Sequence, residues 1–371
     1  MKKFSSILLI LSLLTSLFPI GAYADSSPPA CPSQAAILIE WQDGKVLFSK
    51  NEDLPLPPAS TTKIMTAILV LESCDPNQWV SVPREAVGTE GSSAYLRTGE
   101  RLRVLDLLYC LMLRSANDAA VALAIHVSGS VEEFARLMNN KAKSLGLSNS
   151  HFENPHGLDH QNHYTSAEDM ARLAAYCLKN PLFCSIVKTP SITVGEGENL
   201  RFLTNHNRLL GTLEGCIGIK TGYTIRSGRC LVSACQRDDT LLICVTFNCG
   251  PDWQTHTDLY SYGFSQCKRI NFDGFSCDLP VAGGNLTVHV SSEKYSQLIS
   301  PQDHLTFVTC CPHLLFAPIS AGQRIGKVEV RLNGTIIDVI PITAREEVAR
   351  PPSPGFLSKL LSFVLSLFDR A

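Results

Sequence analysis

The stretch Pro58-Ala59-Ser60-Thr61-Thr62-Lys63-Ile64-Met65-Thr66-Ala67 sets a hydroxyl and an amine three residues apart at the start of an apolar run. The segment from Thr62 to Val70 continues as a mostly buried helix that begins near Pro58. Residues three apart share a helical face, so Lys63 is expected over Ser60. A serine at a helix start is surrounded by backbone N–H groups without partners in the helix, and such groups stabilise an oxyanion. For Lys63 to accept a proton it must be neutral part of the time. Burial and a nearby like charge both favour that state.

Two further islands lie downstream. Ser115-Ala116-Asn117, 55 residues beyond Ser60, supplies a second hydroxyl and an amide. Lys220-Thr221-Gly222, 105 residues beyond Ser115, puts a cation at a strand end, where it can act as the like charge on Lys63. Taken singly, these read as a helix cap, a turn and a strand running into a turn. Together they are the inventory for acyl transfer through a serine ester with no histidine base.

This set resembles that of the serine–lysine acyl-transfer enzymes. In particular, the chain is similar to the low-molecular-mass penicillin-binding proteins, the serine-type D-alanyl-D-alanine carboxypeptidases. The flanks Gly218-Ile219-Lys220-Thr221-Gly222-Tyr223-Thr224, Asn154-Pro155-His156-Gly157-Leu158-Asp159 and Thr165-Ser166-Ala167-Glu168-Asp169-Met170-Ala171 are similar too. The resemblance runs from Ala35 to Phe264 and continues more weakly to Val348.

It implies Ser60 as nucleophile, Lys63 as base and Ser115 as proton relay. It also implies substrate contacts from Asn117, Lys220, Thr221, Gly222 and Tyr223, with the backbone N–H groups of Ser60 and Tyr223 as the oxyanion site. The implied substrate is a peptidoglycan stem peptide ending in D-Ala-D-Ala, and β-lactams enter the same path as covalent inhibitors. The implied mechanism uses no metal and no organic cofactor.

Other readings share some of these residues. A class A β-lactamase uses a Glu-x-x-Leu-Asn loop for deacylation, and none occurs between the second and third islands; Asp is also common there where Ala116 stands. A D-alanyl endopeptidase of the same family and a non-catalytic penicillin-binding wall scaffold remain alternatives. Some family members carry a basic residue after the third sheet strand to hold the substrate carboxylate. Here no Lys or Arg occurs between Arg237 and Lys268, and the stretch reads Asn248-Cys249-Gly250-Pro251-Asp252-Trp253. Arg226 and Arg229 are the candidates to compensate. The family's Ala-Gly after Lys-Thr-Gly-x-Thr also appears as Ser227-Gly228.

The ends of the chain carry membrane signals. Met1-Lys2-Lys3, an apolar run over 7–17 and Ala22-Tyr23-Ala24 have the form of an export leader cleaved after residue 24. Losing Lys2 and Lys3 takes the formal charge from −2 to −4, which does not fit a nucleic-acid partner. The expected location is the periplasmic or extracytoplasmic face of the cytoplasmic membrane. After the Pro-rich linker at 351–355, residues 356–370 are amphipathic. They are too short for a span and suit a peripheral anchor lying in the membrane interface.

Between the ends the expected class is α+β: an antiparallel sheet with helices, followed by a small β-rich domain. The expected domains are a catalytic one over 25–270, a β-rich one over 271–348, and a linker with the anchor over 349–371. A hairpin is expected at 36–48 around Asp43-Gly44, helices at 104–112, 119–127 and 131–145, and strands at 216–220, 229–235 and 241–247. Later strands are expected at 286–290, 305–309, 327–332 and 335–340, the last two joined by Asn333-Gly334. The resemblance places Lys220 on the active-site edge of the first sheet.

Fourteen cysteines in an exported chain permit disulfides, though many punctuate expected strands as small hydrophobes. A mixture of buried thiols and one or two bridges is expected. No Cys-x2-Cys zinc spacing occurs, and Pro155 and Gly157 argue against His156 and His160 as a helical metal pair.

Overall fold

The computed structural model describes residues 27–282 and 286–350. The expected leader at 1–24 and the amphipathic stretch at 356–370 lie outside the described residues. The chain divides into two compact units between Gln266 and Cys267.

The first unit opens with the hairpin β1 (Ala35–Glu40) and β2 (Val46–Lys50). Helix α1 (Lys63–Ser73) follows, then β3 (Trp79–Ser81) and β4 (Arg101–Arg103). Next come α2 (Val104–Leu113), α3 (Asn117–Ser128), α4 (Val131–Ser144), α5 (Ala167–Cys177) and α6 (Pro181–Lys188). The unit closes with β5 (Ser191–Val194), β6 (Arg201–Thr204), α7 (Leu209–Thr212), β7 (Cys216–Thr224), β8 (Gly228–Arg237), β9 (Thr240–Phe247) and α8 (Asp252–Gln266). Its main sheet runs β2-β1-β9-β8-β7, every pair antiparallel. The N-terminal hairpin and the late strands therefore share one sheet, as expected, and β7 forms its edge.

β1 reads Ala-Ala-Ile-Leu-Ile-Glu and is buried at every position, because the sheet is covered on both faces. Helix α5 packs on β1 and β9, and α8 packs on β8 and β9. Helix α1 is buried from Lys63 to Val70, so it has no polar stripe and sits enclosed by other helices. Alanines at 119, 120, 122 and 124 let α3 pack closely against it. Local signals set the other helix starts: Ser130 and Ser166 accept the N–H of the third residue of α4 and α5, and Asn180 with Pro181 starts α6.

The structure differs from the sequence reading at several elements: α5 to α7 and β3 to β6 were not expected, and two more differences concern α3 and α8. Helix α3 starts at Asn117, two residues before the apolar pattern, with no side-chain cap. Helix α8 was not expected. It turns His256 inward, where the ring bonds Ser233 Oγ at 2.6 Å and Thr246 Oγ1 at 2.9 Å, so a polar residue occupies its buried face.

The second unit is built of strands: β10 (Lys268–Phe272), β11 (Ser276–Ala282), β12 (Leu286–Ser292), β13 (Tyr295–Ile299), β14 (Leu305–Cys310), β15 (Leu315–Phe316), β16 (Arg324–Leu332) and β17 (Thr335–Ala344). β10 pairs with β13, and the rest form a sheet ordered β14-β16-β17-β12-β11-β15. Val288, Val290, Val328, Val330 and Ile342 fill its core. The Asn333-Gly334 turn joins β16 to β17 with both residues at positive φ, +51° and +85°, as a two-residue hairpin requires.

The cysteine expectation needs correction. All fourteen lie among the described residues, and the structure joins none of them. The buried ones serve as core residues, and the sulfurs of Cys177, Cys216, Cys230 and Cys235 meet backbone carbonyls, such as Cys235 Sγ on Glu214 O at 3.3 Å. Burial pushes the thiols of Cys110 and Cys235 up to about 12 and that of Cys230 to about 11, which suppresses thiolate reactivity.

Candidate active site

Ser60 lies in the short 3-10 turn Ala59–Thr62 that runs directly into α1. Ala59, with φ at +48°, holds a left-handed conformation uncommon for a residue with a Cβ. Thr61 Oγ1 bonds Pro58 O at 2.7 Å, and Thr62 Oγ1 bonds Ala59 O at 2.8 Å, so the two threonines hold the turn in place. His163 supports Thr62 from behind through a 2.8 Å contact.

Lys63 is fully buried one turn on. Its ammonium donates to Ser60 Oγ at 2.9 Å, Asn117 Oδ1 at 2.7 Å and His156 O at 2.7 Å. Burial first, and then the Lys220 charge, hold its pKa well below the ordinary lysine value. Lys220 is buried on β7, where desolvation brings it down to about 7, and its amine donates to Thr221 O at 2.9 Å. His156, desolvated and beside Lys63, falls to about 3 and stays neutral; its ring accepts the Leu158 N–H within the loop.

The edge strand passes very close to the serine turn. A Cβ on Gly222 would stand 3.0 Å from Ser60 N and 3.1 Å from Pro58 O. Only a residue without a side chain leaves β7 this near Ser60. Ser115, with φ at +61°, occupies the turn between α2 and α3, and Asn117 begins α3. Ser60, Ser115, Thr221, Gly222 and Tyr223 line one cleft of about 810 Å³, while Lys63 and Asn117 stand behind Ser60. Among the described residues no group of three His, Cys, Asp or Glu is gathered for a metal.

The cleft also contains residues that the sequence reading did not assign: Ser92, Asn205, His206, Arg208, Asp252 and Trp253. Of the two arginines considered for the carboxylate, Arg229 is in the wall of the cleft. It bonds Asp252 at 2.9 Å and lies 5.4 Å over the Trp253 ring. Arg226 instead reaches toward His160 O at 3.5 Å. Arg229 is opposite Tyr223 in the β7–β8 register, and that pairing was a signal available once both strands were drawn.

A serine and a buried lysine at hydrogen-bond distance, faced by a lysine-bearing edge strand, are groups suited to acyl transfer. The comparisons give the family. A profile described as D-alanyl-D-alanine carboxypeptidase matches residues 23–250, and one described as penicillin-binding protein 5, C-terminal domain, matches residues 286–350. The chain is 32% identical to D-alanyl-D-alanine carboxypeptidase DacF of Bacillus subtilis, over 97% of this chain and 98% of that one. It is 31% identical to DacC of Escherichia coli, over 100% and 98%. The crystal structure of penicillin binding protein 5 from Haemophilus influenzae matches with a TM-score of 0.64 and 27% identity, over 87% and 99%. This chain belongs to the D-alanyl-D-alanine carboxypeptidase family, a family of serine hydrolases.

Proposed function

We propose that this chain removes the terminal D-alanine from peptidoglycan stem peptides through an ester on Ser60. Lys63, neutral in the reactive state, takes the Ser60 proton as Oγ attacks the carbonyl carbon of the penultimate D-alanine. The tetrahedral oxyanion lies between the backbone N–H groups of Ser60 and Tyr223. As the C–N bond breaks, the proton held by Lys63 passes by way of the Ser115 hydroxyl to the departing amine, so D-alanine leaves and Lys63 is neutral again. Water then adds to the ester with Lys63 accepting its proton, and the second collapse restores Ser60.

Asn117 holds the substrate backbone, while Lys220 and Thr221 meet its terminal carboxylate. A β-lactam follows the same first step, and its leaving group stays tethered. The observation that carries this reading is the 2.9 Å contact between Ser60 Oγ and an amine whose burial favours the neutral base.

The test is the purified chain given a D-alanyl-D-alanine pentapeptide and, separately, a cross-linked dimer, with products followed by mass spectrometry. Loss of one alanine from the pentapeptide, absent in Ser60→Ala, is the expected result. Cleavage of the dimer alone would make the chain an endopeptidase.

The same proposal sets the reaction outside the cytoplasmic membrane, with residues 1–24 as leader, 25–270 as catalytic domain and 271–348 as the spacer from the membrane. Residues 356–370 would rest in the bilayer interface. Vesicle flotation of the full chain and of one ending at 350 checks the anchor: equal flotation would remove it.

A further inference from the structure

Asp118 follows Asn117 in the first turn of α3 and is 1% exposed. Its Oδ2 accepts from Ser93 Oγ at 2.6 Å and Leu96 N at 3.1 Å. Ala94 N reaches both oxygens at 3.0 and 3.1 Å, and Ala119 N meets Oδ1 at 2.9 Å. Every one of these partners is a donor, the pattern that an ionised carboxylate satisfies. Asn117 grips the same loop: its N–H donates to Ser92 O at 2.7 Å and its Nδ2 to Glu90 O at 2.5 Å. From the opposite side Arg201 donates to Ala94 O at 2.8 Å, and its fork closes on Glu100 at 2.6 and 2.8 Å.

The loop clamped in this way carries Ser92, which lines the cleft beside Ser60 and Ser115. The clamp therefore fixes one wall of the cleft against the turn that bears Ser115 and Asn117. Asp118 also has an electrostatic reach, since its negative charge opposes that of Lys220 at the Lys63 amine. The other groups around Lys63 add little charge at neutral pH. His156 and His163, from the segment between α4 and α5, are desolvated to about 3.

We propose that Asp118 is a positioning residue for acylation, holding the Ser92 loop against Asn117 and setting a buried negative charge one residue from the amide that bonds Lys63. A base depressed too far loses its pull on the serine proton. Asp118 limits that depression, while Lys220 and burial supply it. The proposal rests on Lys63 as the base of the reaction.

The test is the rate of acylation by penicillin against pH for the full chain and for Asp118→Asn, with thermal unfolding as a check on the fold. The acid limb follows Lys63 losing its proton, so removing the Asp118 charge moves that limb to lower pH. The expected shift is about half a unit or more, with the plateau rate falling about tenfold. A rate reduced by one factor at every pH, or an unmoved limb, overturns the proposal.

Ser93→Ala takes one donor from the clamp and leaves the charge, so it is informative even if Asp118→Asn fails to fold. Its expected effect is a raised KM for the pentapeptide with the acid limb in place; an unchanged KM overturns the positioning role. Lys63→Ala, run alongside, separates the two readings. Near-normal acylation by that variant would remove the base assignment itself, whereas an inactive Lys63→Ala with an unmoved Asp118→Asn limb would remove only Asp118.

Discussion

Gly157 stands against Ala59 so closely that a Cβ on Gly157 would lie 1.9 Å from the Ala59 carbonyl oxygen. Gly157 has φ at +87°, and Ala59 has φ at +48° immediately before Ser60. Asn154 holds this loop through its Oδ1, which accepts the Gly157 N–H at 2.7 Å, and its Nδ2, which donates to Leu158 O at 3.0 Å. The neighbouring His156 carbonyl accepts a hydrogen bond from the Lys63 amine at 2.7 Å. One loop thus supports the strained serine turn and also orients the lysine.

Gly157→Ala is expected to push the Ser60 turn off its position. The substitution meets backbone, which has no flexible end to yield, and places a Cβ at positive φ. Acylation by penicillin should fall by about a hundredfold or more, since small misplacements of reacting groups cost that much. A variant that acylates at the wild-type rate would show that the turn tolerates displacement.

Lys63→Ala leaves Ser60 without its base and Asn117 Oδ1 without its donor. Penicillin labelling should drop by at least about a thousandfold, with far-ultraviolet circular dichroism unchanged. Labelling within about tenfold of wild type would require another base.

The two buried lysines predict a bell-shaped kcat/KM for the peptide. Activity rises with pH as Lys63 loses its proton, at a pKa well below the ordinary 10.5. It falls again as Lys220 is neutralised near 7, because the neutral amine no longer attracts a carboxylate. Lys220→Arg should move the alkaline limb well above that value, since a guanidinium keeps its charge. An alkaline limb that stays in place in the arginine variant would assign it to another group.

Arg229→Ala removes the guanidinium from the cleft wall and leaves the Asp252 carboxylate unpaired. Burial already raises the Asp252 pKa, and Arg229 is what opposes that rise. The expected result is a KM for the pentapeptide about tenfold higher with kcat much less affected. Unchanged KM would leave Arg208 as the cation to test next, since it lines the same cleft.

His156, His163 and His256 are each held near 3 by burial. In the unfolded chain they titrate near 6.5, so between those values the unfolded state binds more protons. Their contribution to stability is present above pH 6.5 and is lost as pH falls toward 3. The slope is about 1.4 kcal/mol per pH unit for each histidine. Urea midpoints measured from pH 7 to 4 should decline accordingly, and His256→Gln should flatten the decline; equal slopes for both proteins would exclude His256 as a contributor.

What could be read from the chain was local. Ser60 and Lys63 are one helical turn apart, and helix geometry alone puts two such groups on one face. Alternation and turn chemistry likewise marked the β1–β2 hairpin, β7 to β9 and the Asn333-Gly334 turn, because neighbouring residues decide those elements. Sequence reasoning did not place α5 to α7, nor α8, whose buried face contains His256, and it did not place β3 to β6, β10, β11, β13 and β15, which are short or irregular in pattern. It also left open which arginine enters the cleft. Arg226 and Arg229 are three residues apart, and the β7–β8 register with the Asp252 contact is what sends Arg229 inward.

The sequence by itself determined the chemical groups, their spacing along α1 and the sheet-forming segments. Only the tertiary structure decided the depth at which Lys63 and Lys220 are buried, the closeness of Gly222 to Ser60 and the clamp of Asp118 on the Ser92 loop. Those features arise from residues far apart in the chain. Burial, close backbone approach and the charge that each group experiences come into being only when the elements pack.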